Sequence, residues 1–222
     1  GDAIEATQHV LLASKPTPRI VRVIELAAPD VVEGIAPIWA DLDGDGAREL
    51  VVTASNRTIG GRIVVYSTDG RRMTEGPGFE HGGRWRHAIA VAPFATDGTL
   101  ELAVVRTPHI GGVVEFYQLV GTQLRLTASL PGYTSHVLGS RNLDMAVAGD
   151  FDGDGQPELL LPVQDRTMLA GIRRTTTGAA QAWTADVGGV VATNLAAGTL
   201  PDGRLALGVG RKDGMVRLWL PR

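Results

Sequence analysis

Asp41-Leu-Asp-Gly-Asp-Gly-Ala-Arg-Glu49-Leu50 returns further along the chain as Asp150-Phe-Asp-Gly-Asp-Gly-Gln-Pro-Glu158-Leu159. In both copies carboxylates stand at the first, third, fifth and ninth positions. Glycines at the fourth and sixth permit a turn tight enough to aim them at one point. Carboxylates this close repel one another unless a cation lies among them. Oxygen ligands on a flexible loop suit a hard ion, and several carboxylates with the backbone carbonyl of the seventh residue fit calcium better than magnesium, which keeps more of its water. A helix-loop-helix calcium hand needs a bidentate Glu at the twelfth position, where this chain has Val52 and Leu161. The flanks read as strands instead: Ile38-Trp-Ala and Met145-Ala-Val-Ala before the loops, Leu50-Val-Val-Thr and Leu159-Leu-Leu after them. Each loop therefore joins two strands.

Working outward, an Asp-Gly turn recurs at Asp45-Gly46, Asp97-Gly98, Asp154-Gly155 and Asp202-Gly203, roughly every 50 residues, a repeat-protein period. An apolar strand precedes each turn (37–40, 89–94, 145–149 and 190–196) and a second follows it (49–53, 101–105, 158–161 and 204–209). A third strand opens after a glycine at 61–66, 112–117 and 214–219, and less clearly at 168–172; a fourth lies at 124–130 and 182–187. Four antiparallel strands per unit predict an all-β fold of the β-propeller kind, with four blades, or five, in a single domain spanning 1–222. The units fall at about 35–84, 85–135, 140–187 and 188–222. A β-sandwich is the other architecture with such spacing. The last unit ends on its third strand, so the strands within 9–26 are expected to complete it from the other end and close the ring. The rival arrangement is an arc of a larger propeller, whose open edges would invite association.

The two acidic strings, each between an apolar strand and a Glu-Leu strand, resemble the FG-GAP or VCBS repeat, the calcium-loop blade also seen in the integrin α-subunit head. That resemblance implies two structural Ca2+ sites. One would use Asp41, Asp43, Asp45, the carbonyl of Ala47, and Glu49; the other Asp150, Asp152, Asp154, the carbonyl of Gln156, and Glu158. The second unit reads Pro93-Phe-Ala-Thr-Asp-Gly-Thr-Leu-Glu101 and the fourth Gly198-Thr-Leu-Pro-Asp-Gly-Arg-Leu-Ala206. Both lack the first two acids and are expected to be metal-free. The family's common seven-bladed ring needs about 350 residues at this period, more than the 222 here.

Composition narrows the function classes. A formal net charge of −3 and the lack of a basic stripe give no electrostatic case for nucleic acid. Without cysteine there are no disulfides or thiolate metal sites. No apolar run is long enough to cross a bilayer as a helix, and the opening Gly-Asp-Ala-Ile-Glu lacks the basic and apolar regions of a leader. Loops of this kind fill at millimolar calcium, so an extracellular or periplasmic location is expected. The segment Glu80-His81-Gly-Gly-Arg84-Trp85-Arg86-His87 reads as a connection with a packed Trp, or as a contact site in which His81, Arg84, Trp85, Arg86 and His87 meet an anionic or sugar partner. His109 and His136 read as isolated loop residues. Trp39, Trp183 and Trp219 lie in strand-like runs and are expected to pack. The leading expectation is a non-catalytic, calcium-stabilised binding or scaffold module that presents loops to a protein or carbohydrate partner, as an accessory subunit of an extracytoplasmic assembly. The alternative is a carbohydrate-active enzyme, a polysaccharide lyase or hydrolase, because calcium-loop propellers also resemble the catalytic domains of some lyases.

Overall fold

Short β-branched and aliphatic runs punctuated by Gly and Asp turns produce an all-β chain. The computed structural model describes residues 5–34, 36–79, 84–140 and 144–220. They fall into two compact units, 1–88 with 119–125, and 89–118 with 126–222.

In the first unit β1 (Gln8–Ala13) and β2 (Arg19–Glu25) form a two-stranded sheet. A five-stranded sheet is built from β3 (Val31–Val32), β4 (Ile38–Ala40), β5 (Glu49–Ser55), β6 (Arg62–Tyr66) and β7 (Arg72–Glu75), in the order β3-β5-β6-β7. The short β4 also pairs with β5, Ile38 facing Val51 and Ala40 facing Glu49. Every residue of β5 is buried. Leu50, Val52 and Ala54 meet Val64, Tyr66 and, from the chain around β2, Ile24 and Leu26. Each such aliphatic side chain contributes about 1.5–3 kcal/mol of apolar burial.

A four-stranded sheet runs β11 (Gln123–Pro131), β10 (Val113–Val120), β9 (Glu101–Arg106), β8 (Arg86–Ala92). The next comprises β12 (Val147–Gly149), β13 (Glu158–Pro162), β14 (Met168–Thr175) and β15 (Gly178–Asp186) in chain order. A three-stranded sheet of β16 (Val191–Thr199), β17 (Leu205–Arg211) and β18 (Val216–Trp219) follows. Side chains alternate across a strand, and β13 uses both faces. Leu159 and Leu161 enter a core with Ala103, Val105 and Phe116. Leu160 enters a second core with Met145, Leu207 and Val209. A sheet apolar on both faces must be covered on both, and this one is.

The strands fall close to where the sequence places them, but the expected ring does not form. The sheets hold two, five, four, four and three strands, and none is closed among the described residues. The expected uniform four-stranded blades are therefore corrected to an open set of sheets. The strands at 9–26 form a two-stranded sheet of their own, Gln8 pairing with Glu25 and Ala13 with Arg19. Ile20, Val21 and Val23 remain exposed while Ile24 is buried in the first unit. An alternating strand carries no label for its partner, and the β1-β2 hairpin is a local pairing of low closure-entropy cost.

Candidate metal centre

The two acidic strings fold into the same turn. After β4, Gly44 and Gly46 take φ of 79° and 89°; after β12, Gly153 and Gly155 take 81° and 89°, left-handed conformations that glycine adopts without a Cβ penalty. Asp41 accepts hydrogen bonds from the backbone N–H groups of Gly44 (2.7 Å) and Gly46 (3.0 Å). Asp150 does the same with Gly153 (2.7 Å) and Gly155 (2.9 Å). Asp43 and Asp45 accept from the N–H groups of Asp45 and Ala47, and Asp152 and Asp154 from those of Asp154 and Gln156. The closing glutamates turn inward. Glu49 Oε2 accepts from Leu42 N–H at 2.7 Å and Glu158 Oε2 from Phe151 N–H at 3.0 Å.

These turns bring carboxylate oxygens to within 4.8 Å of one another: Asp41, Asp43 and Glu49 in the first loop, Asp150, Asp152, Asp154 and Glu158 in the second. Both sets could hold a metal ion. Asp45 lies outside the first set, and Ala47 and Gln156 are placed by N–H bonds to the preceding aspartates. Burial pushes the Glu49 carboxyl above the usual carboxylate range, Asp43, Asp45 and Asp41 add to the rise, and Leu42 N–H opposes it. For Glu158 burial again pushes upward, opposed first by the Arg173 guanidinium.

Arg173 on β14 was not foreseeable from the sequence motif. It contacts Asp152 (2.6 Å), Asp154 (2.7 Å) and Glu158 (2.5 Å), a position fixed by the pairing of β13 with β14 rather than by local spacing.

Of the other candidate contact residues, His81 lies outside the described residues. Arg84 is exposed. Trp85 donates its Nε1–H to the Glu33 carbonyl at 2.9 Å and stacks on His87 at 5.0 Å. Arg86 is buried, donates to the carbonyls of Gly61 (3.0 Å) and Pro77 (2.7 Å), and lies over the Phe79 ring. His87 is also buried. His109 and His136 do not stand alone: their rings share a hydrogen bond between Nε2 and Nδ1, and burial holds both below the ordinary histidine pKa. Trp39 is 40% exposed, two residues ahead of Asp41. It lines a groove of ≈ 610 Å³ with His9, Leu11, Leu12, Val21 and Pro37, apart from the packed role expected of it. No described helix is long and apolar enough to cross a membrane.

No family model matches the chain. It is 31% identical over 185 residues to the phosphatidylinositol-glycan-specific phospholipase D of Rattus norvegicus, a match covering 72% of this chain and 21% of that protein. The chain thus spans about a fifth of that curated relative. Among solved structures, rhamnogalacturonan lyase YesW superposes with a TM-score of 0.56 at 16% identity, over 95% of this chain and 45% of the lyase. Bacillus licheniformis rhamnogalacturonan lyase PL11 gives 0.55 at 16% identity, over 94% and 45%. The exotype rhamnogalacturonan lyase YesX gives 0.55 at 14%, over 94% and 43%.

The chain shares its fold with part of these lyases. That corrects the resemblance to FG-GAP or VCBS repeats and integrin-like blades, which no family model supports. The same comparisons, all to enzymes, correct the expectation of a non-catalytic scaffold for protein–protein interaction. The acidic strings were real features of the local turn. They did not specify the family, because a metal-loop turn can be set into many all-β architectures.

Proposed function

We propose that this chain is part of a carbohydrate-active protein of the polysaccharide lyase kind, acting on an acidic polysaccharide, and that its two acidic loops hold calcium. The observation that carries the reading is the likeness over 94–95% of the chain to three rhamnogalacturonan lyases. Calcium would be held by Asp41, Asp43, Asp45, the Ala47 carbonyl and Glu49, and by Asp150, Asp152, Asp154, the Gln156 carbonyl and Glu158. It would supply a fixed positive charge that fastens each turn between its strands. The exposed Trp39 indole gives the groove beside the first loop an aromatic face on which a sugar ring can stack. An extracytoplasmic site of action follows from a polymeric substrate and from calcium loops that fill at millimolar concentration.

The test uses the protein that carries this chain, incubated with rhamnogalacturonan in calcium. β-Elimination leaves an unsaturated uronate that absorbs in the ultraviolet, and this product is expected. New reducing ends without that absorbance would mean hydrolysis. The sequence likeness to a phospholipase D supports a second reading, so the same preparation is assayed for release of a phosphatidylinositol-glycan-anchored protein. Release there with no change in the polysaccharide would overturn the lyase proposal.

A further inference from the structure

Two consecutive arginines on β14 each end on the last acid of an Asp-Gly loop. Successive residues of a strand point to opposite faces, and Arg173 and Arg174 accordingly serve different loops. The Arg173 guanidinium sits among Asp152, Asp154 and Glu158 at 2.5–2.7 Å. On the other face, Arg174 Nε donates to Glu101 at 2.8 Å, and Thr127 Oγ1 donates to the second oxygen of that carboxylate at 2.6 Å. Glu101 is buried. It occupies the ninth position of the degenerate loop, whose first and third positions are Pro93 and Ala95. In this loop, which has lost the acids a metal needs, Arg174 supplies the counter-charge to Glu101.

The first complete loop differs. Leu50 faces Tyr66 as Leu159 faces Ile172, so Ser67 stands where the second loop has Arg173. Ser67 is engaged in its own turn with Asp69 and Arg71. Among the described residues, no ion pair reaches Asp41, Asp43 or Glu49.

We propose that β14 carries built-in counter-cations: Arg174 replaces a metal at Glu101, and Arg173 competes with a divalent ion for the Asp150–Glu158 loop. The two complete loops are then unequal. The Asp41–Glu49 loop is the tighter, metal-dependent site. The Asp150–Glu158 loop stays folded without metal and binds it weakly, because the ion must displace a guanidinium from three carboxylates. This inference rests on the calcium reading of the acidic loops.

Calcium is titrated calorimetrically into two variants that each silence one loop, Asp43→Ala and Asp152→Ala. The site left in Asp43→Ala is expected to be weaker than the site left in Asp152→Ala. Adding Arg173→Ser to Asp43→Ala, which gives the second loop the first loop's residue, is expected to tighten it about tenfold or more. Adding Arg173→Lys, which keeps the charge but loses the fork, is expected to leave it weak. In chelator, Arg173→Ser alone is expected to speed amide exchange in the Asp150–Glu158 loop and not in the Asp41–Glu49 loop. Calcium binding at the first loop with no change on Arg173→Ser would overturn the competition and leave the calcium reading standing. Absence of calcium binding at either loop would overturn both.

Discussion

Glu49 and Glu158 end the two acidic loops inside the protein, at 2% and 0% exposure. Burial raises the pKa of each in the folded state. The stability contributed by a raised carboxyl is complete below the unfolded pKa of about 4.5 and is lost as pH rises through the folded value. In chelator, Glu49→Gln is therefore expected to melt above the parent at pH 7 and to match it near pH 4. In calcium the order reverses, because a ligand is gone. Thermal melts at the two pH values, with and without calcium, check both signs. The histidine pair runs the other way. Burial lowers both pKa values, so the stability they contribute is present above about pH 6.5 and is lost as pH falls through the folded values. Between pH 7 and 5 the parent is therefore expected to lose melting temperature relative to His136→Gln, the difference between the two proteins isolating the pair from the carboxyls that run the other way. The acids were legible as a cluster because their spacing is local. Arg173 and the His109–His136 pair were not, because each depends on which strands meet. Trp39 was placed in its strand correctly, but whether its indole faced a core or a groove depended on what covered β4.

At the scale of the element, alternation and turn chemistry located the strands well. The strand expected at 158–161 is β13, the one at 101–105 lies within β9, and the less clear third strand at 168–172 is the start of β14. Partner choice was not legible beyond neighbouring hairpins, because a half-buried strand can add to many edges. The close approaches that fix the pairing are also invisible in sequence. A Cβ on Gly171 would lie 2.6 Å from Trp183 Nε1 and 2.7 Å from Cζ2, across the β14-β15 pair. Gly171→Ala is expected to cost about 1–3 kcal/mol by overpacking, read from urea unfolding midpoints. Leu160→Ala, which removes a fully buried side chain from the core shared with Met145 and Leu207, is expected to cost about 2–5 kcal/mol.

For the whole molecule, the all-β class followed from the repeat of strands and turns, whereas ring closure did not, because closure is decided by contacts between the ends of the chain. The calcium-loop resemblance drew attention to carboxylates that do cluster and to an architecture that does not form. If the acidic loops hold calcium, the folded state is linked to it, and millimolar calcium should raise the melting temperature over that in chelator. Asp43→Ala should remove more of that rise than Asp152→Ala, and identical melts in the two conditions would remove the metal from the account. The central claim is nevertheless the carbohydrate one, and because this chain spans less than half of each lyase it matches, binding by the chain itself tests it most directly. Electrophoresis of the folded, calcium-loaded chain through gels containing rhamnogalacturonan should show retardation relative to gels containing a neutral polysaccharide, with Trp39→Ala migrating faster. Equal migration in both gels would contradict the account.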